Sequence, residues 1–149
     1  MKRSYIRRKS FKLHTYKSAR KMAWNAFSRY IRLRDCLKTL KTTTNGVCYT
    51  CECIYPIEEL QAGHFIAGRT NSVLFDEIGV RAQCKRCNLF KGGEPLLFRK
   101  KLVKEIGEDR VQLLENKRYQ VKKYSIIELD ALTCHYKQET LNLWSLYER

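Results

Sequence analysis

The chain has 149 residues and a formal charge of +15, with 30 Lys/Arg against 15 Asp/Glu, a length that suits one domain or a compact core with helical extensions. No apolar run approaches the roughly 20 residues that span a bilayer, and the basic start lacks the apolar segment of a signal peptide. A membrane protein and a secreted disulfide scaffold are therefore excluded, the chain reads as intracellular, and its seven cysteines read as thiols or metal ligands.

The charge is unevenly placed. Residues 1–46 carry 14 basic side chains against the single acid Asp35, whereas 47–94 carry five against six and 95–149 carry eleven against eight. Such asymmetry predicts a basic arm for a polyanion beside a nearly neutral site, and nucleic acid leads because each neutralised phosphate releases condensed counterions.

In chain order, 1–17 reads as a basic, aromatic-dotted arm, and 18–149 as one domain with an N-terminal helix over 18–41, a central core over 47–93 and a helical extension over 95–149. Ser18 is the expected N-cap of the first helix, whose Trp24, Phe27 and Tyr30 belong to the core, while Arg20 and Lys21 dress other faces. The run Thr42 to Gly46 ends it. Val47 to Cys51 reads as a knuckle, 61–66 as a short strand, Gly68 to Ser72 as a polar loop containing Arg69, and 84–91 as a helix stopped by Gly92 and Gly93. Pro95 opens a helix that Gly107 stops; a third follows over 108–116 with Val111, Leu113 and Leu114 buried. Ser125 and Glu128 form a capping box for a last helix, with Ile127, Leu129, Leu132, Tyr136 and Leu143 on its buried side.

The chemistry concentrates in the middle. Cys48/Cys51 and Cys84/Cys87 are two Cys-x-x-Cys pairs separated by 32 residues, able to supply the four thiolates of a structural Zn²⁺. Cys53 lies two residues beyond Cys51; the pair Cys48/Cys51 is preferred because its interval matches the second pair. Cys36 and Cys134 read as helix-packing residues, and His14 and His135 as bland. Between the pairs stands His64, and Asn88 follows Cys87 directly. A phosphodiester, being anionic with a poor alkoxide leaving group, needs an activated water and a cation for hydrolysis. A neutral histidine can accept the water's proton, and Asn offers a neutral oxygen suited to Mg²⁺ or Mn²⁺. A zinc-clamped strand, hairpin and helix carrying one histidine is the plan of a small metal-dependent nuclease.

The run Cys-x-x-Cys … Ala-Gly-His-Phe … Gln-Cys-x-x-Cys-Asn … Lys-x-Gly resembles the HNH (His-Me finger, ββα-metal) endonucleases with a structural zinc, and within them the phage NinG/Rap recombination proteins. Ile31-Arg32-Leu33-Arg34-Asp35, Phe75-Asp76-Glu77 and Phe98-Arg99 also fit, so the likeness covers about residues 20–145. It implies a nuclease acting on branched recombination DNA such as Holliday junctions or D-loops. It also implies His64 as general base, Asn88 as a ligand of the catalytic ion, and the four paired cysteines on zinc. Many HNH proteins place a metal-binding Asp immediately before the base; this chain has Gly63, as the NinG/Rap proteins do. The Asn that orients the histidine falls at Gly79, so another group, such as a backbone carbonyl, must do so. Asp35 is the first candidate for the second ligand of the catalytic ion, with Glu59, Asp76 and Glu77 as others.

The expectation is thus an α+β fold, a small zinc-stapled ββα-metal core surrounded by α-helices. The expected activity is Mg²⁺- or Mn²⁺-dependent cleavage of branched DNA in phage-type recombination, in the host cytoplasm if phage-encoded. Arg69, Lys85, Arg86 and Lys91 beside the site, with Arg20 and Lys21, are expected on phosphates. A homodimer suits a two-fold symmetric substrate. Two rivals remain: a zinc-stapled DNA-binding protein without catalysis, and an HNH endonuclease acting on linear duplex.

Overall fold

The computed structural model describes residues 14–68 and 70–148; the expected arm up to residue 13, and Arg69, lie outside them. The fold is mixed α and β, mostly helical with two small antiparallel sheets. α1 (Tyr16–Leu40) leads to strands β1 (Asn45–Val47) and β2 (Ile54–Pro56), which pair around the first cysteine pair. β3 (Leu60–His64), the short helix α2 (Asn71–Leu74) and β4 (Val80–Cys84) follow, then a π turn over Arg86–Phe90. α3 (Pro95–Ile106), α4 (Glu108–Lys117) and α5 (Ile126–Tyr147) complete the chain.

Several ends follow from their caps. Thr15, not Ser18, caps α1: its hydroxyl accepts the Ser18 N–H at 3.2 Å, so Tyr16 and Lys17 belong to the helix rather than to the arm. Pro95 occupies the first turn of α3, and Gly107, at φ +86°, separates it from α4. Ser125 and Glu128 form the capping box on α5. The helix expected over 84–91 is instead a single π turn, closed by the Lys91 N–H on the Arg86 carbonyl at 3.0 Å.

β3 and β4 form the hairpin at the centre, with Gln61 opposite Gln83, Ala62 opposite Ala82, Gly63 opposite Arg81 and His64 opposite Val80. Alternation divides it into two faces. Ala62 and Val80 pack with Ala26, Phe27, Tyr30 and Ile31 of α1 and Tyr136 of α5, where Phe27 and Tyr136 meet edge to face at 4.8 Å. Gln61, Gly63 and Gln83 look the other way. Beyond β3, Phe65 and Ile66 enter a second core with Val73, Phe98, Leu102, Val111 and Leu114. Two expected core residues are exposed instead, Leu113 at 65% and Ile127 at 82%. The buried stripe of α5 is narrow (Leu129, Thr133, Tyr136, Thr140), and Ile127 falls off it. Cys134 is likewise exposed on α5 rather than packed, whereas Cys36 is buried against Leu60 and Ala82.

Polar clamps fix α1 to the hairpin. One carboxylate oxygen of Asp35 accepts the Ala82 N–H at 2.7 Å, and the other accepts Arg34 Nε at 2.8 Å. Arg34 also donates to the carbonyls of Glu77 (2.8 Å) and Val80 (3.0 Å). Glu77 accepts the hydroxyls of Tyr30 and Tyr136 at 3.0 and 3.3 Å. Burial, and then the Glu77 carboxylate, push the Tyr30 hydroxyl up to about 12, so it remains a donor at neutral pH.

Deleting one member of a buried charged pair strands its partner. Asp35→Ala is expected to cost about 3 kcal/mol in urea denaturation while leaving bound zinc unchanged. Wild-type stability in that variant would show that Asp35 is not a clamp.

Candidate metal centre and its histidine

The hairpin and the π turn bring together the four paired cysteines. Cys48 stands directly after β1, Cys51 in the turn before β2, Cys84 at the end of β4 and Cys87 in the π turn. Their sulfurs all lie within 4.8 Å of one another, with Cys51 and Cys84 at 3.9 Å. A tetrahedron with Zn–S bonds of about 2.3 Å places its sulfurs roughly 3.8 Å apart, so the four are close enough to hold one ion such as zinc. Cys48, Cys84 and Cys87 are buried and Cys51 is exposed. The Cys84 N–H donates to the Cys48 sulfur at 3.2 Å and the Cys87 N–H to the Cys84 sulfur at 3.5 Å. Burial alone would push the Cys48 thiol up. The amides of Cys84, Cys51 and Thr50 and the Thr50 hydroxyl, all aimed at its sulfur, draw it down to about 6. Cys51 and Cys87 are pushed up, by burial and by neighbouring sulfurs. Cys53 is exposed, contacts the Cys51 carbonyl at 3.6 Å and lies outside the cluster.

His64 ends β3 on the face toward α1. Its ring stacks on Trp24, with centroids 5.1 Å apart and planes 19° from parallel. Its Nε2 lies 3.1 Å from the Leu74 carbonyl. A carbonyl only accepts, so Nε2 is the donor in this contact. Leu74 is the last residue of α2, whose terminal carbonyls have no partner inside the helix. A main-chain oxygen thus stands within hydrogen-bond distance of the ring at 3.1 Å. Gly79 donates its N–H to Asp76 and accepts the Phe65 N–H at 2.8 Å.

Asn88 approaches the same strand end from the opposite face. Its Nδ2 donates to Gln61 at 2.8 Å, and its Oδ1 lies 3.0 Å from the point that a Cβ on Gly63 would occupy. Gln83 fills the rest of that space: its Oε1 lies 2.0 Å from the same point. Gly63 has no room for a side chain while Gln83 is there. Gln83, Gln61, Thr50 and Trp24 were not singled out as site residues from sequence. Regular alternation with Leu60, Ala62 and Ala82 makes both glutamines read as solvent-facing, so nothing in the sequence signalled that Gln83 is buried.

Three of the four candidate acids are occupied elsewhere. Asp35 serves Arg34 and Ala82. Asp76 accepts the N–H groups of Ile78 and Gly79 and pairs with Lys117 at 2.5 Å, and Glu77 serves the two tyrosines. Glu59 is exposed in the turn before β3 and borders an open cavity of about 390 Å³ with Gln61, Lys85 and Arg86. Of the expected phosphate contacts, Lys85 and Arg86 line that cavity, Lys91 pairs with Glu94 at 2.6 Å, Arg20 contacts Asn71 at 3.3 Å and Lys21 is exposed on α1. Among the described residues, no helix is long and apolar enough to cross a membrane.

Two curated relatives, the proteins ninG of Escherichia phage 933W and of Enterobacteria phage VT2-Sa, are each 26% identical over 124 residues. The match covers 83% of this chain but 57% of each relative, so the chain spans little more than half the relatives' length. No solved structure matches. The family described as Bacteriophage Lambda NinG protein matches residues 1–145, nearly the whole chain, and the protein therefore belongs to the NinG family.

Proposed function

We propose that this protein is a metal-dependent endonuclease of the HNH (His-Me finger) type that cleaves branched DNA, such as Holliday junctions or D-loops, in phage recombination. The observation that carries this reading is that His64 and the neighbour of Asn88, Gly63, are adjacent on β3, next to four cysteines close enough to hold a zinc. The Leu74 carbonyl takes Nε2 as its donor, and in the neutral ring the other nitrogen, Nδ1, is the one that accepts a proton from water. Trp24 covers one ring face and holds the imidazole plane. Asn88 presents a neutral oxygen because its N–H group is committed to Gln61. A divalent ion such as Mg²⁺ or Mn²⁺, when bound, supplies positive charge for the phosphate and the departing alkoxide.

Binding follows from the charge of +15. Lys85 and Arg86 flank the Asn88 side of the hairpin, and Lys91, Arg69, Arg20, Lys21 and the basic arm extend the footprint over phosphates. A homodimer would present two sites to the opposed strands of a symmetric junction. A phage-encoded protein of this kind would work in the host cytoplasm.

A labelled four-way junction and its matching linear duplex, each incubated with Mg²⁺ or EDTA, test the activity. The junction is expected to be nicked only with Mg²⁺, and His64→Ala to lower the rate by roughly 10²–10⁴-fold, the usual contribution of a general base, without loss of binding. Salt-sensitive binding with no cleavage by the wild type would leave a zinc-stapled binding protein, and equal cutting of both DNAs a duplex endonuclease. For the cysteine centre, metal analysis is expected to find one zinc per chain. Cys87→Ser should lose it and melt on the order of 10 °C lower, whereas Cys53→Ser should keep both zinc and stability.

A further inference from the structure

Gln83 stands immediately before Cys84, on the hairpin face that also carries Gln61 and Gly63. It is 0% exposed. Its Nε2 donates to the Gly93 carbonyl at 2.9 Å and to the Thr50 hydroxyl at 3.1 Å. The Gly93 carbonyl can only accept, so the amide orientation is fixed, with Oε1 turned toward Gly63. That oxygen is buried and has no hydrogen-bond partner among the described residues. Orphaned buried oxygens are rare and ask for a cause, a bound ion among them.

The surroundings supply one. Oε1 of Gln83 and Oδ1 of Asn88 lie 2.0 and 3.0 Å from a single point, the place of a Cβ on Gly63. The N–H groups of both amides point away, into Thr50 and Gly93 on one side and Gln61 on the other. Two oxygens that both face Gly63, no farther apart than 2.0 and 3.0 Å together, with their donors turned outward, suit a cation and not an anion. Gly63 is also the position before the histidine, where a metal-binding acid would otherwise stand. Glycine there and glutamine at 83 are reciprocal, because any side chain at 63 collides with the Gln83 amide.

We infer that Gln83 takes the place of the absent acid and, with Asn88, forms a neutral pair of amide oxygens for the divalent cation. This rests on the nuclease reading above. Mg²⁺ and Mn²⁺ favour oxygen ligands, and Mg²⁺ needs few from protein while keeping several waters. Neutral ligands leave the ion's charge undiminished for phosphate, so the free protein holds it less tightly than a carboxylate site would. Gln83 is a metal-positioning residue rather than a packing residue, and position 83 sets which side chain position 63 can carry.

The test is Mn²⁺ binding to zinc-loaded protein, read by the loss of the free-ion electron paramagnetic resonance signal. The wild type should bind one Mn²⁺ per chain, and Gln83→Met should bind at least tenfold more weakly with its zinc content retained. Gln83→Ala should be equally weak. Adding Gly63→Asp to Gln83→Ala should restore binding, tighter than wild type, because the space is cleared and a carboxylate supplied. Gly63→Asp alone should fold poorly. Should Gln83→Met lose zinc, the comparison of Gln83→Ala with the double variant decides. Wild-type Mn²⁺ affinity in zinc-loaded Gln83→Met, no gain from the added aspartate, or no Mn²⁺ bound by the wild type would each overturn the assignment. Junction cleavage surviving in Gln83→Met would show that only the role of Gln83 had failed. A wild type that cuts nothing fails the nuclease reading itself.

Discussion

Four sulfurs from two segments more than thirty residues apart, crowded within 4.8 Å, are the constraint on which the central region depends. Amide and hydroxyl donors hold the Cys48 thiol down, while burial first and then neighbouring sulfurs push Cys51 and Cys87 up, and thiolates so close repel one another. A cation at their centre would turn the repulsion into a cross-link between the β1–β2 knuckle and the end of β4. Its reach extends one residue to either side of the second pair. Gln83 precedes Cys84 and Asn88 follows Cys87, so whatever holds the sulfurs also sets the two amides over Gly63. The π turn carries both Cys87 and Asn88, and the Gly93 N–H closes onto the Cys87 carbonyl at 2.8 Å.

The other half of the site is held by different means. His64 belongs to the face packed on α1, where Trp24 supports its ring and the end of α2 supplies the carbonyl for Nε2. The groups proposed for the metal and for the base thus sit on opposite faces of one strand, fixed by independent parts of the fold. The Arg34–Asp35 pair joins these parts, tying α1 to the main chain of β4. The amides of Gln83 and Asn88 are neutral, and Arg81, opposite Gly63 on the same face, is itself paired with Glu105 at 3.4 Å.

Much of this was legible in the residues. The equal intervals of the two cysteine pairs separated Cys51 from Cys53, Pro95 and Gly107 bounded α3, and the capping box located α5. Other features were hidden for physical reasons. Thr15 and Ser18 are both good caps, and the choice falls to Thr15 because its hydroxyl receives the Ser18 amide. A five-residue π turn has no periodicity of its own in so short a stretch. Ile127 and Leu113 carry the right chemistry on the wrong side of their helices. The acids were the hardest to place, because a carboxylate that clamps a distant strand and one that binds a cation are the same residue type. Only the partner of Asp35, an amide on β4, distinguishes them. The role of Gln83 depends on Gly63 across the hairpin, which no local pattern reports.

Anomalous diffraction from a crystal grown with Zn²⁺ and Mn²⁺, recorded at both absorption edges, tests the two-metal arrangement most directly. A zinc peak at the centre of the four sulfurs and a separate manganese peak against the Asn88 and Gln83 oxygens are expected. A single peak among the sulfurs, or manganese bound instead by Asp35 or Glu59, would contradict it.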